Sequence, residues 1–166
     1  MSATRTGLDV VAAMVGPLAA IALGLSAGAM LAEGAVLVPW WRSLPPESFL
    51  SWYAANASRL FDFFGLIETA SAVLAVAAAA LFRYQRGGSG RLFIASAVLM
   101  LAVLGAFPLY FQQVNASFAA GTIELDRVAA ELARWAAWHW VRTAIGSAAF
   151  AAAVLAVRAA GRADAV

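Results

Sequence analysis

The chain has 166 residues, 64% of them hydrophobic and 12% charged, with eleven basic and nine acidic side chains and a net charge of +2. A mean hydropathy of +0.83 lies far from the balance of a soluble domain and points to an integral membrane protein whose solvent is the lipid bilayer. The length accommodates four spans of about 20 residues with short connections and no second folded domain, so residues 1–166 read as a single integral membrane domain. All basic residues are Arg and stand mostly at span ends, which excludes a nucleic-acid footprint, and the lack of Cys excludes disulfides, thiolate metal sites and cysteine redox chemistry.

In chain order, no charge falls between Asp9 and Glu33, and the apolar character continues to Trp41, so the first span covers about residues 10–38. A signal peptide competes with this reading, but the apolar stretch exceeds a signal core. Ala20, Gly24, Gly28 and Ala32 form a stripe of small residues that lets another helix approach. Pro39-Trp40-Trp41 is expected to end this span. Pro45-Pro46 then breaks the chain before a short amphipathic segment, with Phe49, Leu50, Trp52 and Tyr53, that is predicted to lie on the membrane surface as an interfacial helix. The second span covers residues 62–82 and is interrupted only by Glu68. Arg83, Arg86 and Arg91 surround Gly87-Gly88-Ser89-Gly90, a flexible basic loop that belongs in the cytoplasm. The third span covers about residues 92–111, leaving the apolar core where Pro108 is followed by Tyr110, Gln112, Gln113 and Asn115. From Thr122 or Glu124 a helix runs unbroken into the fourth span, residues 134–157, so that the fourth helix extends beyond the membrane; the tail with Arg158, Arg162 and Asp164 is expected to fray.

The expected fold is therefore all-α: a transmembrane four-helix bundle in the cell (inner) membrane, bacterial in type, with both termini cytoplasmic and all six tryptophans at the outer end. At a rise of ~1.5 Å per residue, Glu33, Glu68 and Arg142 each fall about 10 Å below the outer interface, with His139 one turn higher and Asp62, Gln112 and Asn115 near the rim. A buried cation demands a partner, and the matching depths predict that Arg142 pairs with Glu33, Glu68 or both. Two readings stay open. One is a structural network that sets helix register in a non-catalytic binding or accessory protein. The other is a ligand or catalytic pocket opening to the outer leaflet, suited to a hydrophobic small molecule. A metal centre made by Glu33, Glu68 and His139 is a third arrangement; with one His, no Cys and no Glu-x-x-His motif, neither a metal nor another cofactor is expected. The partners expected are lipid, a hydrophobic small molecule, and a second copy or a partner membrane subunit if an apolar outer face needs covering.

Several segments together carry a family resemblance. They are the Gly-rich first span ending at Pro39, the segment Leu44-Pro45-Pro46-Glu47-Ser48-Phe49, Asn115 after the Pro-ended third span, and Trp135-x-x-Trp138-His139-x-x-Arg142-Thr143 opening the last span. From about residue 20 to 157 the chain resembles the small four-span anthrone-oxygenase-like membrane proteins, long known only as a domain of unknown function. Where members often carry an Asn-His pair after the second Trp, this chain has His139-Trp140, with the histidine displaced by one residue. The resemblance implies a four-helix membrane bundle, and in some members the oxidation of anthrones to anthraquinones by molecular oxygen without metal or flavin. Such a reaction needs a base, donors for an oxyanion and an apolar enclosure. His139 or Glu68 would then be the base, Arg142 and Asn115 the oxyanion donors, and Trp135 and Trp138 the flat walls, with Glu33 and Gln112 completing the substrate-binding set.

Overall fold

The computed structural model describes residues 3–83 and 88–163, and all of their regular structure is helical. The elements are α1 (Ala3–Ala32), a π-helical turn (Glu33–Leu37), α2 (Val38–Ser43), α3 (Pro46–Phe82), α4 (Ser89–Ala106), a second π-turn (Phe107–Phe111), α5 (Gln112–Ala120) and α6 (Leu125–Ala163). The π-turns join their neighbours without a break, so four continuous rods result, each long and apolar enough to cross a membrane: Val10–Ser43, Pro46–Phe82, Ser89–Ala120 and Leu125–Arg162. The α1 rod packs on α3 and α6, and α4 packs on the same two helices, while α3 and α6 touch only lightly across the middle. This is a four-membered ring of antiparallel neighbours, the arrangement that short connections between long helices favour.

Three local features differ from the sequence reading, each for a backbone reason. Pro39 and Pro108 do not end their helices. In each rod a π-turn makes room, with Val38 N–H donating to Glu33 O and Gln112 N–H to Phe107 O, five residues back instead of four. The extra residue relieves the clash between the proline ring and the preceding turn, so the helix continues to Ser43 in one rod and to Ala120 in the other. The third difference concerns residues 46–61, which are the first turns of α3 and not a separate interfacial helix. Only Leu44 and Pro45 are extended (ψ 149° and 146°), as the residue before a proline prefers, and Pro46 sits in the first turn of α3, where its missing N–H costs nothing. Arg86 and Gly87 of the expected basic loop, and Asp164 of the tail, lie outside the described residues; Ser89, Gly90 and Arg91 form the first turn of α4.

At the opposite end of the bundle, α5 stops at Gly121, whose φ of 62° closes the helix with Gly121 N–H bonded to Phe118 O and Thr122 N–H to Ser117 O. The α6 helix has 39 residues, about 58 Å of rise, nearly twice the thickness of a bilayer's hydrocarbon core. The core falls into an aromatic block of Trp41, Phe49, Tyr53, Phe111, Phe118 and Trp135 at one end and Ala-rich layers through the rest. In those layers Ser71 Oγ donates to Ala22 O and Ser96 Oγ to Ala149 O, stitching α3 to α1 and α4 to α6. Gly24 of the small-residue stripe lies 3.0 Å, measured from a Cβ placed on it, from the Phe150 ring, whereas Gly28 is exposed.

Candidate functional site

The site is assembled where the first π-turn meets α6, just below the aromatic block. Gly34 lets the two backbones come together: a Cβ there would stand 3.0 Å from His139 Cδ2 and 3.3 Å from Trp140 Cζ2. His139 is fully buried, its ring stacked on Trp135 (centroids 5.0 Å apart, 8° between planes). Its Nε2–H donates to the Met30 carbonyl at 2.8 Å. Nδ1 then lies 3.4 Å from Arg142 Nη2, which donates to it, and 3.6 Å from Glu33 Oε2. Because the closer contact is with a group that can only donate, Nδ1 carries a lone pair and the imidazole is the neutral tautomer protonated on Nε2.

Arg142 is the centre of the cluster. Nη2 lies 3.6 Å from Glu33 Oε2 and Nη1 3.4 Å from Glu68 Oε1, so one guanidinium joins three elements of the bundle. Its Cζ also sits 4.6 Å above the Phe111 ring. All three ionisable side chains are at least nine-tenths buried. These ion contacts are longer than good hydrogen bonds, and among the described residues Glu33 Oε2, Glu68 Oε1 and Arg142 Nε have no hydrogen-bond partner. The guanidinium stands between the carboxylates, in the place a metal shared by Glu33 and Glu68 would need. Among the described residues no group of three or more His, Cys, Asp or Glu side chains is arranged to hold a metal ion.

Beside the cluster lies a cavity of about 530 Å³, within the usual range for small-molecule sites. Glu33, Glu68 and Arg142 line its buried end. Tyr53, Phe64, Phe107, Phe111 and Trp135 line its walls, and Ser58, Asp62, Gln112 and Asn115 are the polar groups nearer its mouth, along the seam between α3 and α5. Trp135 Nε1–H donates to Asn115 Oδ1 at 2.9 Å, which ties the α6 wall to α5. Of the residues singled out from sequence, Glu33, Glu68, Gln112, Asn115, Trp135 and Arg142 share this cavity. His139 does not line it: the ring lies behind, against Met30 and Trp135, with Glu33 and Arg142 at Nδ1. Trp138 is also elsewhere, 40% exposed and stacked on Tyr110 (5.2 Å, 16°), whose hydroxyl donates to Glu131 Oε1 at 2.6 Å.

The residue that sequence reasoning passed over is Tyr53, buried at 4% exposure and on the cavity wall. It was legible as part of the stripe Phe49, Tyr53, Ala57, Leu60, Phe64, Glu68, which keeps helical spacing across the supposed boundary at Asp62. Comparison with protein-family models, curated proteins and solved structures finds no match for this chain.

Proposed function

We propose that this chain is a membrane-embedded protein whose cavity binds a flat hydrophobic molecule carrying a hydroxyl, of the phenol or anthrone class, and oxidises it with molecular oxygen. The observation that carries the reading is a buried acceptor, Glu68 Oε1, and a buried donor, Arg142 Nε, both without a hydrogen-bond partner among the described residues and both on side chains that line an aromatic-walled cavity. A hydroxyl is the small group that uses both: it donates to the carboxylate and accepts from the guanidinium. Glu68 is then placed to take the proton, and Arg142 to hold the oxyanion that remains. In an anthrone, the resulting enolate is attacked by dioxygen at the ring carbon opposite the oxygen. That carbon loses two hydrogens and gains one oxygen as a carbonyl, and the second oxygen leaves as water. His139, held by Met30 and Trp135, positions Arg142 through Nδ1 and has no part in proton transfer to the ligand. The test is oxygen uptake by the purified, metal-stripped protein with 1,8-dihydroxyanthrone. Wild type consumes one dioxygen per quinone formed, and Glu68→Gln lowers turnover roughly 100-fold or more, the usual contribution of a general base. Binding without uptake would instead favour a non-catalytic binding protein, a reading that the closed Glu33–Arg142–Glu68 contacts also suit.

The cavity lies in the outer half of the bilayer in this proposal, with both termini cytoplasmic in the cell's inner membrane. Support comes from the charges, since Arg83, Arg91, Arg158 and Arg162 gather at one end, whereas the aromatic end sets Glu47, Asp62, Glu124, Asp126 and Glu131 against Arg42, Arg59, Arg127 and Arg134. The chain has no cysteine, so introduced thiols report cleanly. On intact cells an impermeant thiol reagent labels Glu124→Cys and leaves Gly161→Cys unlabelled until the membrane is opened. The reverse pattern contradicts the orientation.

A further inference from the structure

Acidic groups outnumber basic ones around the cavity. Glu33 from the first π-turn, with Asp62 and Glu68 from α3, face a single guanidinium, that of Arg142 on α6. Tyr53, also from α3, is the other titratable group on the wall, and α4, the second π-turn and α5 add only uncharged side chains such as Phe107, Gln112 and Asn115. His139 lies behind the cluster with a lone pair on Nδ1 and contributes no positive charge. With both glutamates ionised, the buried cluster carries one excess negative charge, and a desolvated net charge of that kind is sustained only when a proton or a cation balances it.

The geometry decides which cation fits. A metal ion does not, because Arg142 occupies the space between the carboxylates, and the other oxygen-bearing side chains, such as Ser58, Asp62, Gln112 and Asn115, lie nearer the mouth. A large organic cation does, because aromatic faces attract diffuse positive charge, and this cavity already shows the contact: Arg142 Cζ stands 4.6 Å over Phe111. Glu33 Oε2 and Glu68 Oε1 both lack a hydrogen bond among the described residues, but Glu33 is hemmed in by the His139 ring at 3.6 Å as well as by Arg142, whereas Glu68 meets Arg142 alone. We propose that the cavity binds a lipophilic organic cation, its charge beside Glu68 and its apolar body against the aromatic wall, in exchange for a proton held by the carboxylate cluster. This goes beyond the oxidation described above and does not require it.

Tetraphenylphosphonium and tetraphenylborate share a shape and differ in sign, so the pair separates charge recognition from partition into apolar space. Both are titrated calorimetrically into the detergent-solubilised full chain, in buffers of different ionisation enthalpy. Tetraphenylphosphonium should bind at least tenfold tighter than tetraphenylborate, release a proton on binding and bind more tightly as the pH rises. Glu68→Gln should lose tenfold or more in affinity together with the proton release, and Glu68→Asp should keep both. Equal binding of the two ions, or unchanged phosphonium binding in Glu68→Gln, overturns the proposal. Should Glu68→Gln fail to fold, the ion pair and the pH series on wild type still decide. Phosphonium binding with no oxygen uptake on anthrones removes the oxidation reading alone, whereas oxygen uptake without phosphonium binding removes this one alone.

Discussion

Arg142→Ala should destabilise the detergent-solubilised protein by roughly 3–5 kcal/mol, the range seen when one member of a buried ion pair is removed. The large effect comes from what stays behind. Glu33 and Glu68 lie on different rods and are both buried, and without the guanidinium they face each other uncompensated and away from water. His139 loses its donor at Nδ1, and Phe111 loses the cation packed over its face. Arg127→Ala, on the exposed first turns of α6, should change stability by less than about 0.5 kcal/mol. Adding Glu33→Gln and Glu68→Gln to Arg142→Ala should recover much of the loss, because uncharged amides leave no bare charge in the core. Thermal melts of the four proteins in one detergent measure this. Equal shifts for Arg142→Ala and Arg127→Ala would mean that the guanidinium is not held by the carboxylates.

The same cluster shows which parts of the structure the sequence makes legible. The number of long apolar helices and the matching heights of Glu33, Glu68 and Arg142 follow from counting 1.5 Å rises along uncharged runs, and the structure brings both carboxylates within 3.6 Å of the Arg142 guanidinium. Counting gives depth along a helix and says little about which way a side chain turns. His139 and Arg142 are three residues apart and nearly one above the other, yet His139 is claimed by the Met30 carbonyl while Arg142 reaches the cavity. What turns the histidine away is Gly34, which brings the first rod so close that the ring has nowhere to go but against the backbone.

The prolines are the second lesson. Pro39, Pro45-Pro46 and Pro108 all read as helix ends, and only Pro45-Pro46 is one. A π-turn has no composition of its own, so a lone proline in a helix with a slack turn beside it looks from sequence like a terminus. The consequence reaches the site. Because α3 begins at Pro46, Tyr53 belongs to the same rod as Glu68. Because the third rod passes through Pro108, Phe107, Phe111 and Asn115 all lie along the cavity. Trp138, expected as a wall, stacks on Tyr110 at an exposed side of α6, away from the cavity that Trp135 lines.

Gly65 offers the most direct way to ask whether the cavity holds a ligand at all. It lines the cavity from α3, and a Cβ placed on it would meet nothing within 4 Å. Gly65→Phe therefore fills the space from an open position, leaves Glu33, Glu68, Arg142 and His139 in place, and replaces a weak helix former by a better one, so its melting temperature should equal or exceed that of wild type. The measurement is the affinity for 1,8-dihydroxyanthrone under argon, where no turnover occurs, in wild type and in Gly65→Phe. The account predicts a saturable single site in wild type and a loss of tenfold or more in a Gly65→Phe protein of undiminished stability. Equal affinity in the two proteins would contradict it, because the ligand would then be binding somewhere other than beside Glu68 and Arg142.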